Sequence, residues 1–393
     1  MASAFFMGRE KSRMMEADER GWYEPDGYVC PDCVKDDFLK EVIRENACRR
    51  ECDYCKRRTR AHSAAPVATL MESIGNAVFY YDSDPTDGMM IWDNEEDDWL
   101  VPSTSTEDAL MSLPLDCDGK LFEDITAAFV YNEWVATAGG IWTGSHPHQE
   151  MHSSWDHFVR IVKYEVRYFF DHAQSNSIDE QYEPATLLPT IGSLVKRLGL
   201  LGSLPVGTPL FRARKKDQED FSLDAEQLGA PPSEMASAGR MNPAGISYLY
   251  LAFDQKTALA EIQHSQSDQS AIGQFEILRD LQILNLTKLP DLPSIFDDNR
   301  RDKREELIFL ESFIEEITKP VEKDNRKHID YVPSQVVSEY FALVFQPSNG
   351  ERLDGILYPS AVNPGGCNLV LFPTERSYNR RFDQVDFESG WLL

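Results

Sequence analysis

Arg240, Tyr248, Tyr250 and Glu261 fall in one 25-residue run, GRMNPAGISYLYLAFDQKTALAEIQ, from Gly239 to Gln263. A guanidinium offers paired donors to a phosphate. A tyrosine offers an aromatic face to a flat ring. A carboxylate stabilises positive charge that develops on a neighbouring carbon. Glu261 adjoins Ala258, Leu259 and Ile262 on the apolar side of a predicted helix, where an unpaired carboxylate costs free energy. Such residue types, so close together, point to a site and not to a plain core. Arg212 and Arg214 end the predicted strand in LPVGTPLFRARKK, and spacing alone does not separate them. Asn242 follows Arg240, and Ser334 and Gln335 follow Pro333 downstream. Each has a plainer reading when taken singly. The arginines suit surface ion pairs, the tyrosines a half-buried strand, Glu261 a solvated helix face, and Ser334 a helix N-cap.

The elements that must hold these residues read as loop, strand and helix. ISYLYLAF alternates, with Tyr248 and Tyr250 on one face and Leu249, Leu251 and Phe253 on the other. Asp254 caps the helix that follows. Short strands are predicted around Gly273–Leu278 and Gln282–Leu286, and two more in DGILYPSA and CNLVLF. REELIFLESFIEEIT is amphipathic through Leu307, Leu310, Phe313, Ile314 and Ile317. Another helix is predicted to start at Ser334 and to carry Val336, Val337, Tyr340, Phe341 and Val344 as its apolar face. Many short strands with few, non-alternating helices predict an α+β fold over 199–393. No G-x-G-x-x-G follows a strand, which excludes the usual dinucleotide-binding crossover.

A second cluster can do different chemistry. Cys30 and Cys33, then Cys52 and Cys55, form CxxC-x18-CxxC. Two such knuckles present four thiolates to a structural zinc. VKDDFLKEVIREN between them reads as a helix. Four protein ligands leave no open position, so this zinc would hold a fold and catalyse nothing. Cys48 is a spare for Cys52, His62 is an alternative fourth ligand, and reduced, unligated thiols are the plainer reading. The basic run Lys56–Arg60 reads as a solvated linker. The module is expected to span 1–62.

Residues 63–198 are predicted to form a helical domain. APVATLMESIGNAVFYY, FEDITAAFVYNEWV, SWDHFVRIVKYEVRYFFDHA and TIGSLVKRLGL supply its helices, and DSDPTDGMMIWDNEEDDW reads as an acidic, turn-rich loop. His146, His148, His152 and His157 stand close in sequence, but GSHPHQEMH reads as a mobile loop and not as a metal site. Arg167 and His172 have the spacing R-x4-H.

Length and charge set outer limits. A chain of 393 residues holds two or three domains. A net charge of −27 argues against broad nucleic-acid binding, requires local arginines for any anionic substrate, and suits a basic partner protein. Seven cysteines, five of them between positions 30 and 55, do not form a secreted disulfide pattern. The N-terminus lacks an apolar signal core and the chain lacks a membrane-spanning run, so a cytoplasmic location is expected.

The motifs of the last 190 or so residues resemble, in order, those of the RES domain family. They are Phe211-Arg212, Gly239 to Gly245 as G-R-x-N-P-x-G, Tyr250, Glu261, Pro333-Ser334-Gln335, Asp354-Gly355-Ile356 and Asn368 to Phe372. Met241 departs from the family's usual tryptophan, and the long N-terminal extension departs too. The resemblance implies an ADP-ribosyltransferase-like fold and degradation of NAD+ by hydrolysis or phosphorolysis. Arg212, Tyr250, Glu261 and Ser334 would then be catalytic, and Arg240, Asn242, Tyr248, Arg214 and Gln335 would bind substrate. It also implies a toxin or defence setting, with an antitoxin or immunity protein as partner. The R-x4-H spacing and the helices of 63–198 are similar to HEPN domains, which recur ahead of RES domains. Two alternatives stay open. One is ADP-ribosyl transfer to a protein, against which Leu259 weighs because arginine-directed transferases carry a carboxylate there. The other is a HEPN-type ribonuclease using Arg167 and His172, with the C-terminal domain as nucleotide sensor. A nucleotide-binding module without turnover is a third class. Oligomeric state is left open.

Overall fold

The computed structural model describes residues 11, 13–87, 90, 92–93, 98–99, 101–138, 140–172, 182–216, 221–264, 269–319, 326–347, 350–374 and 382–392. Part of the predicted acidic loop, at 88–89, 91 and 94–97, lies outside them, as does the N-terminal stretch 1–10. The chain divides into two compact units, 1–149 with 292–306, and 150–291 with 307–393. The segment expected as one helical domain, 63–198, is thus shared between them.

In the first unit, helix α1 (Asp37–Glu45) forms between the cysteine pairs as its periodicity predicts. The Asp36 carboxylate caps it by accepting from the Leu39 amide at 2.9 Å, and Leu39 and Ile43 are buried. Helix α2 (Ala68–Tyr81) buries Leu70, Met71, Ile74 and Val78, the apolar stripe of a 3.6-residue period. The Trp22 ring lies against Gly75, where an added Cβ would sit 2.5 Å from it, so this helical glycine makes room for a large ring. The stretch FEDITAAFVYNEWV is not one helix. Helix α3 (Thr106–Ser112) precedes it, and helix α4 (Gly119–Ala128) ends inside it. Glu133–Ala136 is then a strand paired with Asp82–Ser83. The β-branched and aromatic residues there favour extended backbone. Trp134 is fully buried and donates its indole N–H to the Thr106 hydroxyl at 3.0 Å.

In the second unit, helix α5 (Pro147–Tyr164) starts earlier and ends earlier than predicted. Only the GSH of GSHPHQEMH lies outside the helix: Pro147 opens it, where a missing N–H is harmless, and the Gln149 side chain accepts from the His146 amide at 2.9 Å. Helix α6 (Pro184–Arg197) follows. The sheet that organises the unit has eight strands: β1 (Leu201–Leu204), β2 (Pro209–Lys215), β3 (Leu249–Ala252), β4 (Ser270–Ile277), β5 (Leu281–Asn285), β6 (Gly355–Pro359), β7 (Cys367–Leu371) and β8 (Val385–Leu392). Their order is β8-β4-β2-β3-β7-β6-β5-β1, with only the β5–β6 pair parallel. Strand β8 was not foreseen. It is half exposed at the sheet edge and carries a Ser-Gly interruption that breaks the apolar pattern.

Helix α7 (Gln255–Glu261) is capped by Asp254, whose carboxylate accepts from the Thr257 amide at 2.8 Å, as predicted. Helix α8 (Arg301–Thr318) buries Leu307, Leu310, Phe313, Ile314 and Ile317. Helix α9 (Val332–Glu339) begins two residues before Ser334, so Ser334 is not its N-cap; Pro333 occupies the first turn instead. A π-helical turn, Tyr340–Val344, ends this segment and leaves Val344 exposed against expectation. One core packs helices α5, α6, α8 and α9 on Ile356 and Val370, and another gathers Leu249, Leu251, Leu357, Leu369 and Leu371. The strand residues alternate between these two clusters, as a sheet covered on both faces requires. The architecture is mixed α+β.

Candidate active site

Strands β2 and β3 share one bridging pair, Ala252 with Phe211, and part beyond it. A cavity of about 240 Å³ opens in that fork. It is lined by Arg212 on β2, Tyr250 on β3, Glu261 at the end of α7, and Tyr358 and Asn368 on β6 and β7. Ala213, Ala252 and Ala258 leave the space that larger side chains would fill. Arg212, Tyr250 and Glu261, predicted from separate motifs, therefore meet.

Arg212 is the unsatisfied group of this cavity. Its Nη1 is buried with no hydrogen-bond partner, and no carboxylate pairs with the guanidinium among the described residues. Burial, with the nearby charge of Arg214, works against its cationic form. A guanidinium nonetheless stays charged at neutral pH. An unmet buried donor of this kind costs roughly 1–3 kcal/mol, which an incoming anion would return. Arg214 is placed differently: its Nη2 donates to the Gly229 carbonyl at 2.9 Å, and it does not line the cavity.

Tyr250 joins the cavity to the loop that carries Arg240. Its hydroxyl accepts from the Met241 amide at 3.0 Å and donates to Asn242 Oδ1 at 2.8 Å. Burial pushes the phenol well above its usual range, and the same holds for Tyr358. The charge of Arg240 is felt at both rings. Asn242 is buried and donates to the carbonyls of Ser237, Pro243 and Ile246, so it organises the loop and does not face the cavity. Ser334 donates to the Arg240 carbonyl at 2.6 Å, and Gln335 donates to those of Gly239 and Asn242 at 2.8 and 3.0 Å. These two also fasten the loop from behind. Tyr248 lies in the helix-side core with its ring 5.4 Å from that of Phe372, and lines a different cavity. Glu261 is exposed, and its Oε1 accepts from Ser360 Oγ at 2.8 Å and from Asn368 Nδ2 at 2.5 Å.

Residues 209–388 match the RES domain family, and residues 45–176 match HEPN/RES N-terminal domain 1. The chain carries a RES domain preceded by a HEPN/RES N-terminal domain. No curated protein matches it. The RES match begins at residue 209, and the HEPN/RES match takes in Cys52 and Cys55. Tyr358, Ser360 and Asn368 were not foreseen as site residues of the RES domain. The signal for them was a polar Asn368 inside the apolar run CNLVLF, directly across from Tyr358 in the β6–β7 register.

The four cysteines converge. Their sulfurs all lie within 4.8 Å of one another, with Sγ–Sγ separations of 3.8 Å (Cys30–Cys33), 3.5 Å (Cys30–Cys55) and 3.7 Å (Cys33–Cys52). Tetrahedral zinc with Zn–S bonds of about 2.3 Å sets its sulfurs about 3.8 Å apart, so the donor set fits that ion. Cys48 and His62 are not in the cluster. Arg167 and His172 do not share a helix: α5 ends at Tyr164, and His172 closes the 3-10 turn Phe170–His172. His148 Nδ1 lies 2.5 Å from Glu305 Oε2, His152 packs on Phe309, and His157 Nδ1 lies 3.0 Å from Arg160. No helix among the described residues is long and apolar enough to cross a membrane.

Proposed function

We propose that the RES domain cleaves the nicotinamide–ribose bond of NAD+, with water or phosphate as acceptor. The observation that carries this reading is the forked cavity, where the partnerless Nη1 of Arg212 and the carboxylate of Glu261 share a wall with two tyrosines. Arg212 takes a phosphate oxygen of the dinucleotide, and Arg240 supports it from the adjoining loop. Tyr250 and Tyr358 offer ring faces to the nicotinamide. As the bond breaks, its electron pair passes to the ring nitrogen and cancels the pyridinium charge. Positive charge grows on the ribose carbon, where Glu261 stabilises it. The acceptor oxygen then bonds to that carbon and its proton leaves to solvent. At about 240 Å³ the cavity is smaller than the roughly 300–1,000 Å³ of pockets that enclose a whole small molecule. It therefore receives the nicotinamide mononucleotide end, whose phosphate meets Arg212, and not the whole dinucleotide.

A structural zinc on Cys30, Cys33, Cys52 and Cys55 belongs to the same proposal. So do cytoplasmic action as a toxin or defence effector and restraint by an antitoxin or immunity protein, which rest on the RES kinship alone.

The test is to incubate the full chain with NAD+, with and without phosphate, and to follow nicotinamide release and the sugar product. ADP-ribose marks hydrolysis, ADP-ribose-1″-phosphate marks phosphorolysis, and label on protein marks transfer. Glu261→Ala is expected to lower release by about 10²–10³-fold, with the fold retained and melting lowered only modestly, because Ser360 and Asn368 lose an acceptor. Intact NAD+ under all conditions with wild type would sink the reading.

A further inference from the structure

We propose that Ser360 and Asn368 are positioning residues that hold Glu261 by one carboxylate oxygen and leave the other for the substrate. This rests on the NAD+-cleavage reading. Glu261 is the last residue of α7, and the backbone turns out of the helix at Gln263 with φ +51°. A carboxylate at the negative end of a helix gains nothing from the helix dipole. A free glutamate side chain also gives up as much as about 2 kcal/mol of rotamer entropy when it is fixed. Its orientation must come from elsewhere.

Ser360 supplies one half of the clamp. Its oxygen accepts from the amides of Val362 and Asn363 at 3.3 and 3.1 Å. Both lone pairs are thereby used, and its one proton is left for Glu261 Oε1 at 2.8 Å. Asn368 supplies the other half. Only its NH2 group can meet a carboxylate oxygen, and Nδ2 lies 2.5 Å from the same Oε1. Both residues are buried and sit on the rigid β6–β7 pair or the turn that joins it. Oε2 has no protein partner among the described residues. It is the oxygen left for a ribose hydroxyl or for the charge developing on the ribose carbon.

The turn between β6 and β7 is itself tied to the start of α7. Asn363 Nδ2 donates to Thr257 Oγ1 at 2.8 Å, and the Thr257 hydroxyl donates to Asp254 Oδ2 at 2.6 Å. The helix that carries Glu261 and the turn that clamps it are thus held at both ends.

The experiment uses Ser360→Ala, Asn368→Ala and Asn368→Asp in the full chain. Both alanine variants are expected to lower kcat about tenfold, with KM for NAD+ within about twofold of wild type, because positioning acts on the transition state. Asn368→Asp places two carboxylates on one hydrogen bond, where they share a proton. Its activity should be low at neutral pH and recover as pH falls and the new carboxyl regains a proton to donate. Wild type should show no such recovery. Alanine variants with wild-type kcat, or an Asn368→Asp pH profile that follows wild type, overturn the inference while leaving NAD+ cleavage intact. Should wild type not release nicotinamide, the cleavage reading fails instead. A crystal structure of Asn368→Ala then decides the clamp alone: Glu261 keeping its rotamer refutes it, and Glu261 leaving Oε1's place upholds it.

Discussion

The cysteine module and the forked cavity use polar atoms in opposite ways. In the module four sulfurs close on one another, as a tetrahedral ion requires. In the cavity a buried guanidinium nitrogen has no partner and a carboxylate is tied by one oxygen only. A closed donor set lowers the energy of the fold and has no valence left for a substrate. An open one raises the energy of the empty protein and recovers it on binding. The difference separates a site that supports structure from one suited to chemistry.

The largest expected effect breaks the closed side. Cys33→Ser removes a buried sulfur from the cluster. Zinc sites of this type contribute on the order of 10 kcal/mol to folding. If the four sulfurs hold zinc as proposed, metal analysis should find it in wild type and not in the variant, and the residues around α1 should lose amide protection in hydrogen exchange. A variant that keeps a wild-type exchange pattern without metal would show that the thiols pack unaided. Next comes the open side. Arg212→Met is expected to cut nicotinamide release by about 10²-fold or more and yet to raise the melting temperature. It removes a buried donor that has no partner, whose desolvation costs roughly 1–3 kcal/mol. Calorimetry that finds Arg212→Met less stable than wild type would make Arg212 a structural residue and dissolve the comparison.

Much of both sites was readable in the sequence because local rules wrote it. The CxxC knuckles, the helix between them, the Asp254 cap and the alternation of ISYLYLAF depend on neighbours within a few residues. What was not readable depended on pairings far apart in the chain. Ser334 looks like an N-cap by its neighbours, but its hydroxyl bonds the Arg240 carbonyl 94 positions away. Tyr248 and Tyr250 share a strand face in sequence, but only Tyr250 reaches the fork between β2 and β3. Arg212 and Arg214 are equivalent by spacing, and the Gly229 carbonyl separates them. Asn368 and Ser360 became visible as partners of Glu261 only when β6, β7 and α7 were brought together. A division at 198 was natural for a string of helices, yet Trp155, Phe158 and Ile191 bury themselves on Phe313, Phe341 and Val370.

The smallest expected effect tests whether the first unit is as satisfied as its cysteines suggest. Asp82 follows the last residue of α2 and is buried, and that burial alone pushes its carboxyl up to about 6. In the unfolded chain the group titrates near its ordinary value of 3.8. Between these two values the folded state holds the extra proton. The stabilisation is therefore fully present below about pH 4 and is lost as pH rises through about 6. The change should be at most about 3 kcal/mol, since each tenfold difference in proton affinity between the two states corresponds to about 1.4 kcal/mol and the two values lie about two such steps apart. Asp82→Asn keeps the shape and removes the titration, so it should be the more stable protein at pH 7, and the difference from wild type should vanish near pH 4. Denaturant unfolding of both proteins across that window measures it. Equal stability of the two at every pH would mean that Asp82 is as well solvated as a surface carboxylate. The first unit would then hold no strained acid to set against the open cavity of the second.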